Sequence, residues 1–182
     1  VKNVEERMAG GSVDRVAAGV ASLALAVWLG GLVALGAIAA PIVFAVAPFP
    51  QNADAMTLVF RRFDLVAMAC AAVVLGSEAL RAALRRGPWM SSRADLARAA
   101  ASALASAAAV YEAIVISPRI AALHAAGAVR GLGPLGVELA RRHDDAETCG
   151  KTQLALLALV VVLHAVGRAP RRERTDGPRS AG

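Results

Sequence analysis

The chain has 182 residues, 57% of them hydrophobic, with 20 basic against 14 acidic side chains and a mean hydropathy of +0.55. Such an apolar composition argues against a water-soluble domain, and the length bounds the protein to one membrane domain with short connections. An isoelectric point near 10.6 suits nucleic acid, but the basic residues stand at the ends of apolar runs, where they orient helices, so nucleic acid is not an expected partner.

From Val16 to Ala53 no ionisable side chain occurs. A bilayer core takes about 20 apolar helical residues to cross, so a first span is expected from Val16. A cleavable leader has an apolar region of only about 7 to 15 residues. The run to Ala40 is longer and follows Glu5, Glu6 and Asp14, so it reads as a retained span. Ala18, Ser22, Ala26, Gly30 and Ala34 form a small-residue ridge at spacing four, expected to pack against another helix. Ser102 and Ser106, or Ala105, Ala109 and Ala113, are the expected opposing face.

The second span is expected between Arg61/Arg62 and Arg81, the third between Arg98 and Arg119, and the fourth between Lys151 and Arg168. Counting Lys and Arg outside these spans puts thirteen on the side of the two termini and seven on the other. The positive-inside rule then places both termini in the cytoplasm. Gly131, Gly133, Pro134 and Gly136 break the third connection, so the third helix is expected to continue to about Arg130 and the fourth to begin near Leu135. That geometry predicts a projecting helical hairpin. The expected partition is a cytoplasmic N-terminus at 1–15, a membrane domain at 16–168 and a disordered basic tail at 169–182.

Several polar residues fall within the spans. Asp64 lies three residues after Arg61 and Glu78 three before Arg81, so each carboxylate can pair along its own helix. The alternative reading is a proton or cation relay, with Asp64 on the outside and Glu78 on the inside. Glu112 is deeper, about 10 Å along the helix from Arg119. A charged acid at such depth costs about 2.5 to 3.5 kcal/mol on insertion scales, so it should be protonated or partnered, by Tyr111, Ser106 or backbone, or else serve transport. His124 and His143 are expected to face one another across the hairpin as weak candidates for a metal site, and His164 to reach the cytoplasmic interface. Cys70 and Cys149 differ in depth, which argues against a disulfide. No nucleophile stands in a recognisable elbow and no phosphate loop occurs, so neither an enzyme nor a cofactor is expected.

Trp28, Gly30, Gly31, Pro41 and Phe44, standing as WLGGLVALGAIAAPIVF, carry a family resemblance. The block VFRRFDL adds Phe60, Arg61, Arg62, Phe63 and Asp64, and Ser117-Pro118-Arg119-Ile120 and His143 follow. Together they resemble the transmembrane protein 205-like family, domain of unknown function 4149. Where similar proteins tend to have a serine and then an asparagine entering the last span, this chain has Ala146 and Gly150. The resemblance implies a four-helix multi-pass membrane protein and no established reaction. The expected protein is therefore all-α, a four-transmembrane-helix bundle in a cell membrane, such as a bacterial inner membrane. Its expected role is a non-enzymatic component packed against lipid and a second copy or another membrane protein. The alternative is a small transporter for a cation, metal ion or small solute using Glu112.

Overall fold

The computed structural model describes the backbone of residues 2–84 and 93–167, and the tail expected at 169–182 lies outside these described residues. Every element among them is helical. Helix α1, Lys2–Val33, passes through a π-helical turn at Ala34–Ala39 into α2, Ala40–Val46, and α3 is Gln51–Leu84. Helix α4, Arg93–Tyr111, passes through a second π turn at Glu112–Ile116 into α5, Ser117–Ala125, and α6 is Gly133–Gly167. Four long helical rods result. The first begins at Lys2, so no helix start marks the expected boundary at residue 16.

Three stretches are long and apolar enough to cross a membrane: Val13–Val46, Arg93–Ala125 and Gly133–Ala165. Helix α3 is as long, at 34 residues, but it carries Asp54, Arg61, Arg62, Asp64, Glu78 and Arg81. Leu23, Val27, Val33, Ile38 and Ile42 are all exposed along the first rod. A run of uncovered aliphatic side chains of that length requires an apolar solvent, and helices satisfy their own backbone groups within it.

Both π turns precede a proline by about one turn. A proline within a helix lacks an N–H and its ring crowds the carbonyl four residues back. Those carbonyls belong to Ala37 and Ile114, each inside its π turn. Widening the helix there relieves the crowding, so the first rod continues past Pro41 to Val46. The chain leaves the helix only where Ala47 becomes extended (φ −97°, ψ 136°) ahead of Pro48.

Helix α1 packs on α3 and α6, and α4 packs on the same two, so α1 and α4 sit across a diagonal. The small face of α4, with Ala101, Ser102, Ala105, Ser106 and Ala109 buried, therefore packs toward α3 and α6 and not onto the ridge of the first helix. That ridge also leaves the bundle: Ala18 is buried, but Ala26, Gly30 and Ala34 are exposed. A spacing of four advances about 400° around a helix of 3.6 residues per turn, drifting about 40° per step. The buried face, Ala17, Ala21, Ala24, Leu25 and Trp28, alternates steps of three and four and keeps its heading.

The third helix ends at Ala125, five residues before the expected Arg130. Gly127 adopts φ +73°, its N–H bonds the His124 carbonyl and that of Ala128 bonds the Leu123 carbonyl. This pair of bonds is a Schellman cap, and it stops the helix ahead of the Gly131–Gly136 cluster. Helix α5 packs on α3 as well as α6, with Ile116, Ile120, Leu123 and Leu139 forming a small second core. Since α3 starts at Gln51 and accompanies α5, no free-standing hairpin projects among the described residues.

Gly31 receives the ring of Phe63: a Cβ at Gly31 would collide with Phe63 Cε2 and lie 2.8 Å from Cζ, whereas Gly30 has nothing within 4 Å. Overpacking of this kind costs roughly 1–3 kcal/mol. Gly31→Ala is accordingly expected to lower the unfolding temperature in detergent micelles, Gly30→Ala to leave it unchanged, and Phe63→Ala to remove the extra effect of Gly31→Ala. Equal effects of the two glycine variants would contradict this packing.

Candidate functional site

Helix α6 presents Cys149, Gln153, Leu157, Val160 and His164 at steps of four and three, the spacing of one helix face. Leu157 and Val160 on this stripe are fully buried, and Gln153 is 1% exposed. Trp28 Nε1 donates to Gln153 Oε1 at 3.1 Å. The Gln153 Nε2 amide donates to Glu112 Oε2 at 2.6 Å. One amide therefore joins the first, third and fourth rods. Cys149 adds a thiol donating to the Ala108 carbonyl at 3.3 Å, beside the π turn that begins at Glu112.

Asp64 completes the group from α3. It lies beside the Ser117 hydroxyl and near enough to Glu112 for their charges to act on each other. Arg61, expected as its partner, acts on Asp64 only through its charge, and one buried carboxylate oxygen of Asp64, Oδ2, has no hydrogen-bond partner. Of the expected side-chain partners of Glu112, Tyr111 is exposed and Ser106 donates instead to the Ser102 carbonyl. Glu112, the residue after Tyr111, takes the interior side and is half-buried. Beyond Asp64, Thr57 Oγ1 meets His124 Nδ1 at 3.3 Å, and the His124 and His143 rings face each other with centroids 5.8 Å apart.

The opposite end of the bundle holds a second polar group. Arg98 donates through Nε and Nη2 to the two oxygens of Glu78, at 3.0 and 2.9 Å, and through Nη1 to Asp95 at 2.9 Å. Arg81 bonds Asp14 at 3.1 Å and lies 3.5 Å from Glu78. The expected pairing of Glu78 with Arg81 is thus present but secondary to a fork from Arg98, a residue expected at the interface and found buried. His164 does not reach the interface. Its Nδ1 donates to the Val160 carbonyl at 3.0 Å, and Nε2 lies 3.9 Å from Glu78. An apolar layer of Leu25, Ala67, Cys70, Val74, Ala105 and Leu157 separates the two groups. Cys70 and Cys149 are both free thiols.

The family-pattern residues divide accordingly. Trp28, Gly31, Phe63 and Asp64 meet in the interior near Glu112. Phe44, Arg61, Arg62 and Pro118 face outward, and Phe60 is partly covered. Gln153 and Thr57, members of these polar groups, were not singled out by sequence reasoning, and Arg98 and Ser117 were noted there without their interior partners. Gln153 carried a signal, being one of two glutamines in the chain and standing on the apolar face of the last span. Among the described residues, no three His, Cys, Asp or Glu side chains cluster as a ready-made metal cage.

Breaking a buried ion pair on one side leaves a charge without a partner and costs about 3–5 kcal/mol. Arg98→Ala is therefore expected to sharply lower yield and thermal stability in micelles, and Glu78→Gln with Arg98→Met to recover most of the loss. Full stability of Arg98→Ala alone would show that the pair does not hold this end together.

Compared with known families, residues 23–128 match the one described as Domain of unknown function (DUF4149). Comparison with curated proteins and with solved structures finds no match. The matched range takes in Trp28, Gly31, Phe63, Asp64, Glu112, Ser117 and His124, and stops short of His143, Cys149 and Gln153. It covers more than half of the 182 residues, and the chain belongs to the family Domain of unknown function (DUF4149).

Proposed function

We propose that this protein is a non-enzymatic, multi-pass membrane protein that binds a proton or small cation between Glu112 and Asp64 and carries it across the bilayer. The observation that supports this reading is a pair of interior carboxylates from different rods, Glu112 held by Gln153, and Asp64 beside Ser117 and near enough for its charge to act on Glu112. Helix packing alone is served by small apolar residues, whereas ionisable groups inside a membrane are expensive and mark ion pathways. The π turn at Glu112 is in keeping with this, because such turns recur at functional sites. The second polar group, around Glu78, Arg98 and His164, supplies a counterpart on the other side of the apolar layer.

In this reading α3 is the fourth crossing. Between Arg62 and Arg81 its only acidic or basic residues are Asp64 and Glu78, both buried inside the bundle. Four crossings leave both termini on one side, and the excess of Lys and Arg there supports the cytoplasmic side of a bacterial inner membrane. The likeness to transmembrane protein 205-like proteins supports the same four-helix arrangement. A second reading, a packing component that associates with its own copy, is favoured by the exposed Ala26, Gly30 and Ala34 stripe.

Proteoliposomes separate the two readings. Native protein is expected to pass protons or one of a panel of mono- and divalent cations, with Glu112→Gln reducing the flux at least about tenfold. No flux for any cation, or flux indifferent to Glu112→Gln, would remove the transport reading and leave the packing one. Reporter fusions at residues 1 and 182 are expected to report the same, cytoplasmic side, and opposite sides would contradict four crossings.

A further inference from the structure

We infer that His124 and His143 form a capture site for a borderline transition-metal cation of the Zn2+ class. The inference names the cation class for the transport reading and rests on that reading for the ion's onward path, though not for its binding. The two imidazoles come from opposite sides of the 126–132 turn, on α5 and α6, and their ring centroids are 5.8 Å apart with planes tilted by 48°. With metal–nitrogen bonds of about 2.0–2.1 Å, a ring centroid lies about 3.2 Å from its ion. Two centroids 5.8 Å apart then subtend about 130° at a shared ion, between the tetrahedral and linear arrangements. Direct stacking does not require this wide tilt, and imidazole is a preferred ligand of Zn2+, Cu2+ and Ni2+.

The surroundings suit exchange more than storage. His124 is oriented by the Thr57 hydroxyl on Nδ1, which leaves its Nε2 for a ligand, and a hydrogen bond to the other nitrogen is how ligating histidines are usually fixed. Both rings are only partly buried, so an ion reaches them from water. The nearest cationic side chain in the turn, Arg130, is paired with Asp144 at 2.9 Å, which blunts its repulsion of an arriving cation. Among the described residues no third His, Cys, Asp or Glu closes the set, so water fills the remaining positions and the ion stays labile. Glu112 stands twelve residues before His124, about 18 Å along the helix, a deeper acceptor on the same rod.

Isothermal titration of the tag-free, full-length protein in nanodiscs with Zn2+ tests the site. One histidine-dependent ion per chain is expected, with no comparable uptake of Mg2+. His124→Ala and His143→Ala should each weaken binding by about tenfold or more, with helical content and elution unchanged. Glu138→Gln, which removes only the Arg119 ion pair, should still bind Zn2+ as the native protein does. Absence of uptake by the native protein, or native-like uptake by either folded histidine variant, overturns the inference. Zn2+ binding together with cation flux indifferent to Glu112→Gln would uphold the capture site while defeating the transport reading.

Discussion

In hydrocarbon no water is at hand to satisfy a polar side chain, so an amide or carboxyl in the bundle must find its partner within the protein. Gln153 meets that constraint for three rods together, accepting from Trp28 and donating to Glu112. The bonds fix the rotation of α6, because turning Gln153 toward lipid would strand all three groups. They also fix the height of α1 against the third rod. The apolar residues around them, Leu25, Ala105, Leu157 and Val160, are small or smoothly aliphatic and would tolerate sliding on their own.

Proline shapes the rest. Pro41 and Pro118 sit where π turns have widened their helices, and the two turns lie in the first and third rods, which meet the same pair of neighbours. Glu112 is half-buried while its neighbour Tyr111 is exposed, a divergence that the ordinary step of about 100° between successive helical residues allows.

Much of the architecture was legible in the residues. Long uncharged runs announced helices, arginines bracketed them, and the depth of Glu112 marked it as a residue needing a partner. The identity of that partner was not legible, since Gln153 lies 41 residues away and only the packing of α6 brings it near. The end of the third helix was misplaced for a local reason: Gly127 alone, with positive φ and two capping bonds, outweighed four breakers further on. Arg98 looked like an interface anchor because it opens the apolar run that ends at Arg119, yet its bidentate pairing with Glu78 draws it inward. Trp28 and Gly31 were recognisable as a pattern, while their physical roles, a donor to an amide and a seat for the Phe63 ring, required the fold.

The interior polar string and the candidate ion pathway are one arrangement viewed in two ways. Side chains that hold three rods in register also gather the carboxylates on which the transport reading depends. The most direct test is a double-mutant cycle on Gln153 and Glu112, read as unfolding free energy in detergent micelles for Gln153→Ala, Glu112→Ala and the pair. If the two side chains satisfy one another in the interior, the double variant loses less than the two singles combined, by roughly 1–3 kcal/mol. Losses that add within about 0.5 kcal/mol would mean that the two groups do not meet, and would contradict the account.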